Sequence, residues 1–374
     1  MKTPAPRPTG EYAVGTSTFS VYDLQKETFP GYENEMRCVS ARLFYPVLKE
    51  SVKGLKRERY MSPEIAKGLQ KAFKVPLKYE KLEAAGENVM ECYRDAPKIE
   101  GKKFPLIVFN HGYLSYREGN SFLCIELASH GYAVLSVAHS REALVMELDD
   151  GRKIESAKKL ASTTYKPFLR GALAAVKLTK MKGTDEERAA AFDVFQNKYC
   201  SLIKKRVGVW EKDVDAAISS AKELYSDRID FDMGIGVSGH SMGGVTAFAL
   251  SLHRDDVVCG VNMDGGLFGD YGTEMMEKPF MQISTEANEN IVARAYMYHS
   301  QPVYKVLIKG VTHACLSDMK HMVSIKMIAG KTPADVAHEN HCRAQLEFFD
   351  AFLAHKKTTP ELHSNDVVEV TVFP

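Results

Sequence analysis

The chain has 374 residues, 45% hydrophobic and 26% charged, with a formal net charge of +1. That is a globular composition long enough for a large core, and the near-zero charge argues against steering toward nucleic acid or acidic substrates. No apolar run reaches the roughly 18 residues of a membrane-spanning helix. The opening stretch MKTPAPRPTGEY lacks the apolar region of a secretory leader, so a cytoplasmic location is expected unless a leader has been removed. Seven scattered cysteines, an odd number, fit reduced thiols in such a compartment.

Residues 1–10 carry three prolines and read as a loose arm. Residues 36–47, MRCVSARLFYPV, alternate like a half-buried strand. Residues 62–73, SPEIAKGLQKAF, read as a short helix with Ser62 as cap, Pro63 in the first turn and Glu64 at the positive end of the dipole. Ile65, Leu69 and Phe73 share one face; contact with a membrane surface would use such a helix, but packing on a core explains it better. Then come FPLIVFN (104–110), a helix at 121–130 and the strand YAVLSVA (132–138). About ninety residues separate this strand from the next, far more than a crossover needs. This insertion, 140–230, reads as a hairpin around Asp150-Gly151 and helices near 168–180, 185–205 and 209–225. It covers a pocket or is a decorative layer; both readings stay open. MGIGVSG (233–239), VVCGVNM (257–263), PFMQIS (279–284) and VYKVLIKG (303–310) are further strands. A last helix, 337–356, places Cys342, Leu346, Phe349 and Leu353 on one face. Alternating strands and helices imply a single α/β domain over 1–374, with a mostly parallel sheet and helices on both faces.

The stretch MGIGVSGHSMGGVTAFAL (233–250) sets one serine among glycines between a strand and a helix. Gly239-His240-Ser241-Met242-Gly243 fits G-x-S-x-G. In that pattern a sharp strand-to-helix turn presents the serine as a nucleophile. An ordinary glycine-rich turn is the competing reading, and the strand before and helix after favour the nucleophile. A serine hydroxyl needs a base, and the base needs an orienting group. His313, in the loop after an apolar strand, is the candidate base. Asp264 and Glu286 each follow a strand, and spacing leaves the choice of acid open. Two backbone amides should bind the oxyanion. One is that of Met242; the other, in the loop after FPLIVFN, is that of Tyr113, which follows His111-Gly112. His111 itself precedes the serine and reads as a structural hydrogen bonder. HENHC (338–342) offers His338 and His341 at i, i+3 without a clear third ligand, so neither a metal nor an organic cofactor is expected.

Several segments together resemble the plasma and intracellular type II platelet-activating factor acetylhydrolase family. TGEYAVGTSTF resembles its opening strand, and FPLIVFNHGYLSYREGNSFLCIELASHGYAVLSVAH its oxyanion segment. SGHSMGG is similar to its elbow, with Met242 in place of phenylalanine. VNMDGGLF and GVTHACLSD resemble its acid and histidine segments. The resemblance implies an α/β-hydrolase fold, Ser241 as nucleophile, Asp264 as acid, His313 as base, and the Tyr113 and Met242 amides as oxyanion donors. A tryptophan that follows the family's acid is replaced here by Gly265 and Gly266. Esterase chemistry therefore transfers better than the lipid substrate. The function expected is hydrolysis of short-acyl carboxylic esters, with a small-molecule or lipid ester as the partner. An amidase or peptidase on the same residues, or a binding protein on an inactive scaffold, are the alternatives.

Overall fold

The structure, a computed structural model, describes residues 5–73, 79–160, 162, 166, 169–322 and 330–374. The chain divides into two compact units. One comprises Met1–Lys158, Lys212–Ile235 and Ser317–Ser324, the other Lys159–Glu211, Gly236–Leu316 and Ile325–Pro374.

The first unit contains β1 (Ala13–Val21), β2 (Val39–Val47), β3 (Arg57–Arg59), α1 (Pro63–Phe73), α2 (Tyr79–Gly86), β4 (Val89–Arg94), β5 (Phe104–Asn110), α3 (Ser121–Ser129) and β6 (Ala133–His139). Its strands run in the order β5-β6-β2-β1-β4-β3. β5 and β6 are parallel, whereas β2 is antiparallel to both β6 and β1. All seven residues of β5 and of β6 are buried, as strands covered on both faces must be. A short antiparallel pair, β7 (Val145–Glu147) with β8 (Lys153–Glu155), follows.

A charged cluster sits inside this unit. The fully buried Arg37 pairs with Glu27, with Glu142 at 2.8 Å and with Asp213 at 2.6 Å. Burial alone would lower its pKa, and the carboxylates more than reverse that. Removing one member of such a set costs about 3–5 kcal/mol, because the charge left behind has no water to turn to.

The second unit holds the first part of the insertion: α4 (Ala172–Thr179), α5 (Asp185–Tyr199) and the beginning of α6 (Ser201–Tyr225). α5 opens with a capping box between Thr184 and Glu187. The sequence suggested a break between 205 and 209; the structure breaks instead at Cys200, and α6 is continuous. Ile203, Val207, Trp210, Val214, Ile218 and Ala221 are buried along one stripe of α6, which holds the helix through Gly208 against its propensity cost of about 1 kcal/mol.

β9 (Ile229–His240), α7 (Met242–His253), β10 (Val257–Met263), β11 (Phe280–Thr285), β12 (Val303–Ile308), α8 (Ala334–Phe352) and β13 (Val368–Phe373) complete the chain. The second unit orders its strands β13-β12-β11-β10-β9. β10, β11 and β12 are parallel, and β13 closes the edge antiparallel to β12. In this unit the insertion packs on the loops that follow β10 and β11. Asn290 Nδ2 donates to the carbonyls of Leu178 and Met181, each at 2.9 Å. The Gln196 side chain and the Gly269 backbone exchange two hydrogen bonds. The rings of Phe192 and Phe268 lie 5.2 Å apart. Among the described residues no helix is long and apolar enough to cross a membrane. All seven cysteines are buried, and none forms a disulfide.

Candidate active site

Ser241 occupies the turn between β9 and α7 with φ 57° and ψ −120°. A non-glycine residue held there costs on the order of 1–3 kcal/mol, so its surroundings must impose it. They do so through backbone bonds: Ser241 N–H donates to Met263 O at 2.9 Å, while its own carbonyl accepts from Gly244 and Val245. The turn is also tight. A Cβ on Gly239 would lie 2.2 Å from the Gly243 carbonyl, and one on Gly265 would lie 2.1 Å from Ser241 O. Only glycine permits strand, helix and following loop to approach this closely.

The amides of Met242 and Gly243 open α7. Among the described residues neither donates a hydrogen bond, whereas Gly244 N–H is already engaged. They are the unsatisfied donors that every helix start leaves, and the dipole adds positive potential beside the hydroxyl.

Asp264 follows β10, also at positive φ (59°). Its amide donates to Ile283 O at 2.7 Å, which fixes the turn. The carboxylate is buried in a set of donors. Thr285 N–H reaches Oδ1 at 2.7 Å, Thr285 Oγ1 lies 3.0 Å from both oxygens, and Asn288 Nδ2 reaches Oδ2 at 2.7 Å. His313 Nδ1 completes the set, 2.7 Å from Oδ2. With Nδ1–H donating to the carboxylate, the free lone pair of the imidazole is on Nε2. Glu286, the other candidate acid, is exposed; its Oε2 accepts from Gly310 N–H at 3.0 Å.

The structure thus brings Ser241, Asp264 and His313 into one unit, and joins the last two by a charge-assisted hydrogen bond. Among the described residues the Ser241 hydroxyl is not hydrogen-bonded to His313, and such contacts commonly tighten only with substrate in place. His240, read in the sequence as part of the elbow motif alone, supports the histidine. Its ring lies 4.6 Å from that of His313 at 32°, and its Nε2–H donates to His313 O at 3.0 Å. Thr285 and Asn288 were likewise not singled out; only their place after a strand, near a candidate acid, marks them.

Tyr113 belongs to the first unit, in a turn where Ser115 N–H donates to Gly112 O at 3.0 Å. His111, in the same unit, donates from Nδ1 to Gly112 O at 2.7 Å, and its Nε2 accepts from His139 N–H at 3.4 Å. Burial first, and His139 second, push its pKa down to about 3. His111 therefore stays neutral. Asp318, in the same unit, accepts from Phe122 N–H at 3.2 Å, and burial raises its carboxyl well above the usual range. On α8, the ligand atoms of His338, His341 and Cys342 lie within 4.8 Å of one another, a soft donor set from one helix. Ester hydrolysis by a serine nucleophile makes no use of them.

The fold and the strained serine on its turn place the chain in the α/β-hydrolase class. A ferulic acid esterase from Streptomyces cinnamoneus shares this fold, with a TM-score of 0.67 over 100% of both chains at 20% identity. More narrowly, the chain belongs to the family described as platelet-activating factor acetylhydrolase, isoform II, which matches residues 1–366. Relatives carrying the name platelet-activating factor acetylhydrolase include that of Gallus gallus, 26% identical over 238 residues. That match takes in 58% of this chain and 53% of the relative, so the chain spans about half the length of that protein. The Cavia porcellus relative is 24% identical over 400 residues, 97% of this chain and 81% of its own.

Proposed function

We propose that the protein is a serine esterase that cleaves short-acyl carboxylic esters through an acyl-Ser241 intermediate. The observation that carries this reading is the hydrogen bond of His313 to the buried Asp264 carboxylate, 2.7 Å long, in the unit that also holds Ser241 in its strained turn. His313 Nε2 takes the Ser241 proton as Oγ attacks the ester carbonyl carbon. The resulting oxyanion accepts from the Met242 amide, with the Tyr113 amide as the second donor that the family resemblance supports. Collapse of this intermediate breaks the bond to the alcohol oxygen, which leaves with the proton from His313. Water then attacks the acyl carbon and gives its proton to His313, which passes it to Ser241 Oγ as the bond between Oγ and the acyl carbon breaks and the acid leaves. Asp264 keeps Nδ1–H oriented and stabilises the imidazolium formed in both halves. The relatives' name supports an acetyl group as the acyl moiety and a lipid such as platelet-activating factor as the substrate.

A fluorophosphonate should add one label, found by mass spectrometry at Ser241. Ser241→Ala should lose on the order of 10⁴-fold or more in p-nitrophenyl acetate turnover. A label on another serine, or undiminished turnover in the variant, overturns the proposal.

A further inference from the structure

Beneath the turn that carries Asp264 lies a pair of buried carboxamides. Asn262, on β10, and Gln282, on β11, are both fully buried and stand opposite each other in the register of the two parallel strands. Asn262 closes a ring of two hydrogen bonds with a single residue, Gly265. Its Oδ1 accepts from Gly265 N–H at 2.9 Å, and its Nδ2 donates to Gly265 O at 2.7 Å. The second hydrogen on Nδ2 goes to Gln282 Oε1 at 2.9 Å. Gln282 Nε2 donates in turn to Ile283 O at 3.0 Å, which fixes the way that amide faces. Both donors and the acceptor of Asn262 are therefore placed, and its side chain has one orientation.

The ring asks for a short carboxamide. Gly265 presents one donor and one acceptor, and only a side chain that carries both at this reach meets them. A carboxylate would set an oxygen against Gly265 O, and an aliphatic group would leave both backbone groups unpaired at about 1–3 kcal/mol each. The segment that is clamped needs the support. Asp264, between Asn262 and Gly265, has φ 59°, which its own backbone disfavours. Gly265 and Gly266 offer no side chain to restrict the chain that follows. Asn262 also packs against the nucleophile turn. A Cβ on Gly244 would lie 1.9 Å from Asn262 Oδ1, and Gly244 N–H is bonded to Ser241 O at 2.9 Å.

We propose that Asn262 is a positioning residue for the acid. It fixes the direction of the Asp264 carboxylate and, through it, the tautomer and orientation of His313. The role rests on the ester hydrolysis proposed above. Asn262 acts only through Asp264, so it matters only while residue 264 is a carboxylate that has to be aimed.

The test is a double-mutant cycle on the full chain, assayed with p-nitrophenyl acetate. Asn262→Ala should lower kcat by at least about tenfold and change KM by less than about threefold, because the interaction it removes belongs to the transition state. In the Asp264→Asn background His313 is already misdirected, and there the same substitution should cost less than about twofold. A thermal melt shows that each protein is folded at the assay temperature. Asn262→Ser, which keeps a hydroxyl in the space, takes the place of Asn262→Ala in the cycle if the latter does not fold. Ser241→Ala in the same assay keeps the two proposals apart. Undiminished turnover in that variant overturns the esterase reading and this role with it. With Ser241→Ala inactive, an equal cost of the Asn262 substitution in both backgrounds, or an unchanged kcat, overturns the positioning role alone.

Discussion

Replacing Asp264 by asparagine changes one atom and leaves the volume of the site unaltered, yet no orientation of the new amide suits its neighbours. If the amide nitrogen replaces Oδ2, it faces Asn288 Nδ2 and His313 Nδ1, each 2.7 Å from that position and each a donor. His313 then relieves the conflict by moving its proton to Nε2, the nitrogen that must receive the Ser241 proton. If the amide flips, its nitrogen faces Thr285 N–H at 2.7 Å, and a buried donor pair of this kind costs about 1–3 kcal/mol. The wrong tautomer lowers kcat by about 10⁴, or roughly 5.5 kcal/mol of barrier. The assay is kcat and kcat/KM on p-nitrophenyl acetate across pH, with a thermal melt to show that the fold persists. Glu286→Gln is the matched control: its carboxylate is exposed and, among the described residues, accepts from Gly310 N–H alone, so stability should shift by no more than about 0.5 kcal/mol and activity should barely change. Asp264→Asn retaining a tenth of the activity, or Glu286→Gln losing more than Asp264→Asn, would refute this account.

Gly239→Ala places a methyl group 2.2 Å from the Gly243 carbonyl, so the turn must open. Stability should drop by about 1–3 kcal/mol or more, with a fall in kcat, and an unchanged Tm would contradict the packing described. His111 has a folded pKa of about 3 through burial, against about 6.5 when unfolded. A depressed pKa contributes stability that is present above the unfolded value and lost as pH falls toward the folded one. The loss reaches about 1.4 kcal/mol per unit between those limits. His111→Gln should therefore show a shallower acid loss in urea unfolding, and parallel curves for the two proteins would count against a neutral His111. In an acyl series, p-nitrophenyl acetate to butyrate should be cleaved faster than the decanoate or palmitate. An open apolar groove would instead gain about 0.8 kcal/mol per methylene, so a steady rise of kcat/KM with chain length would argue for a lipase.

The elbow was legible because its requirements are local: a serine forced to positive φ needs small neighbours, and they are written beside it. The choice between Asp264 and Glu286 was not local. Both end a strand, and spacing could not rank them; what differs is the cradle of Thr285 and Asn288, which arrives from beyond the next strand. The family resemblance pointed to Asp264, and the hydrogen bond to His313 lies there. His240 escaped notice for a related reason, since its ring matters only once the His313 loop folds against it. The break at Cys200 was misplaced because the buried stripe that carries α6 through Gly208 emerges only from the packing of the helix. The short β3 and β4 gave no periodic signal to read.

The burial of all seven cysteines without a single bridge has a consequence for handling the protein. Inside the fold burial pushes the Cys92 and Cys200 thiols up to about 12, far from the thiolate that oxidises or exchanges. Unfolding returns every one of them to ordinary reactivity at the same moment, on chains that also expose their apolar strands. Mispaired disulfides and aggregates then trap the chain before it refolds. Heating in air therefore measures a rate of loss, set by the barrier to unfolding and sensitive to scan speed and reductant, and not an equilibrium.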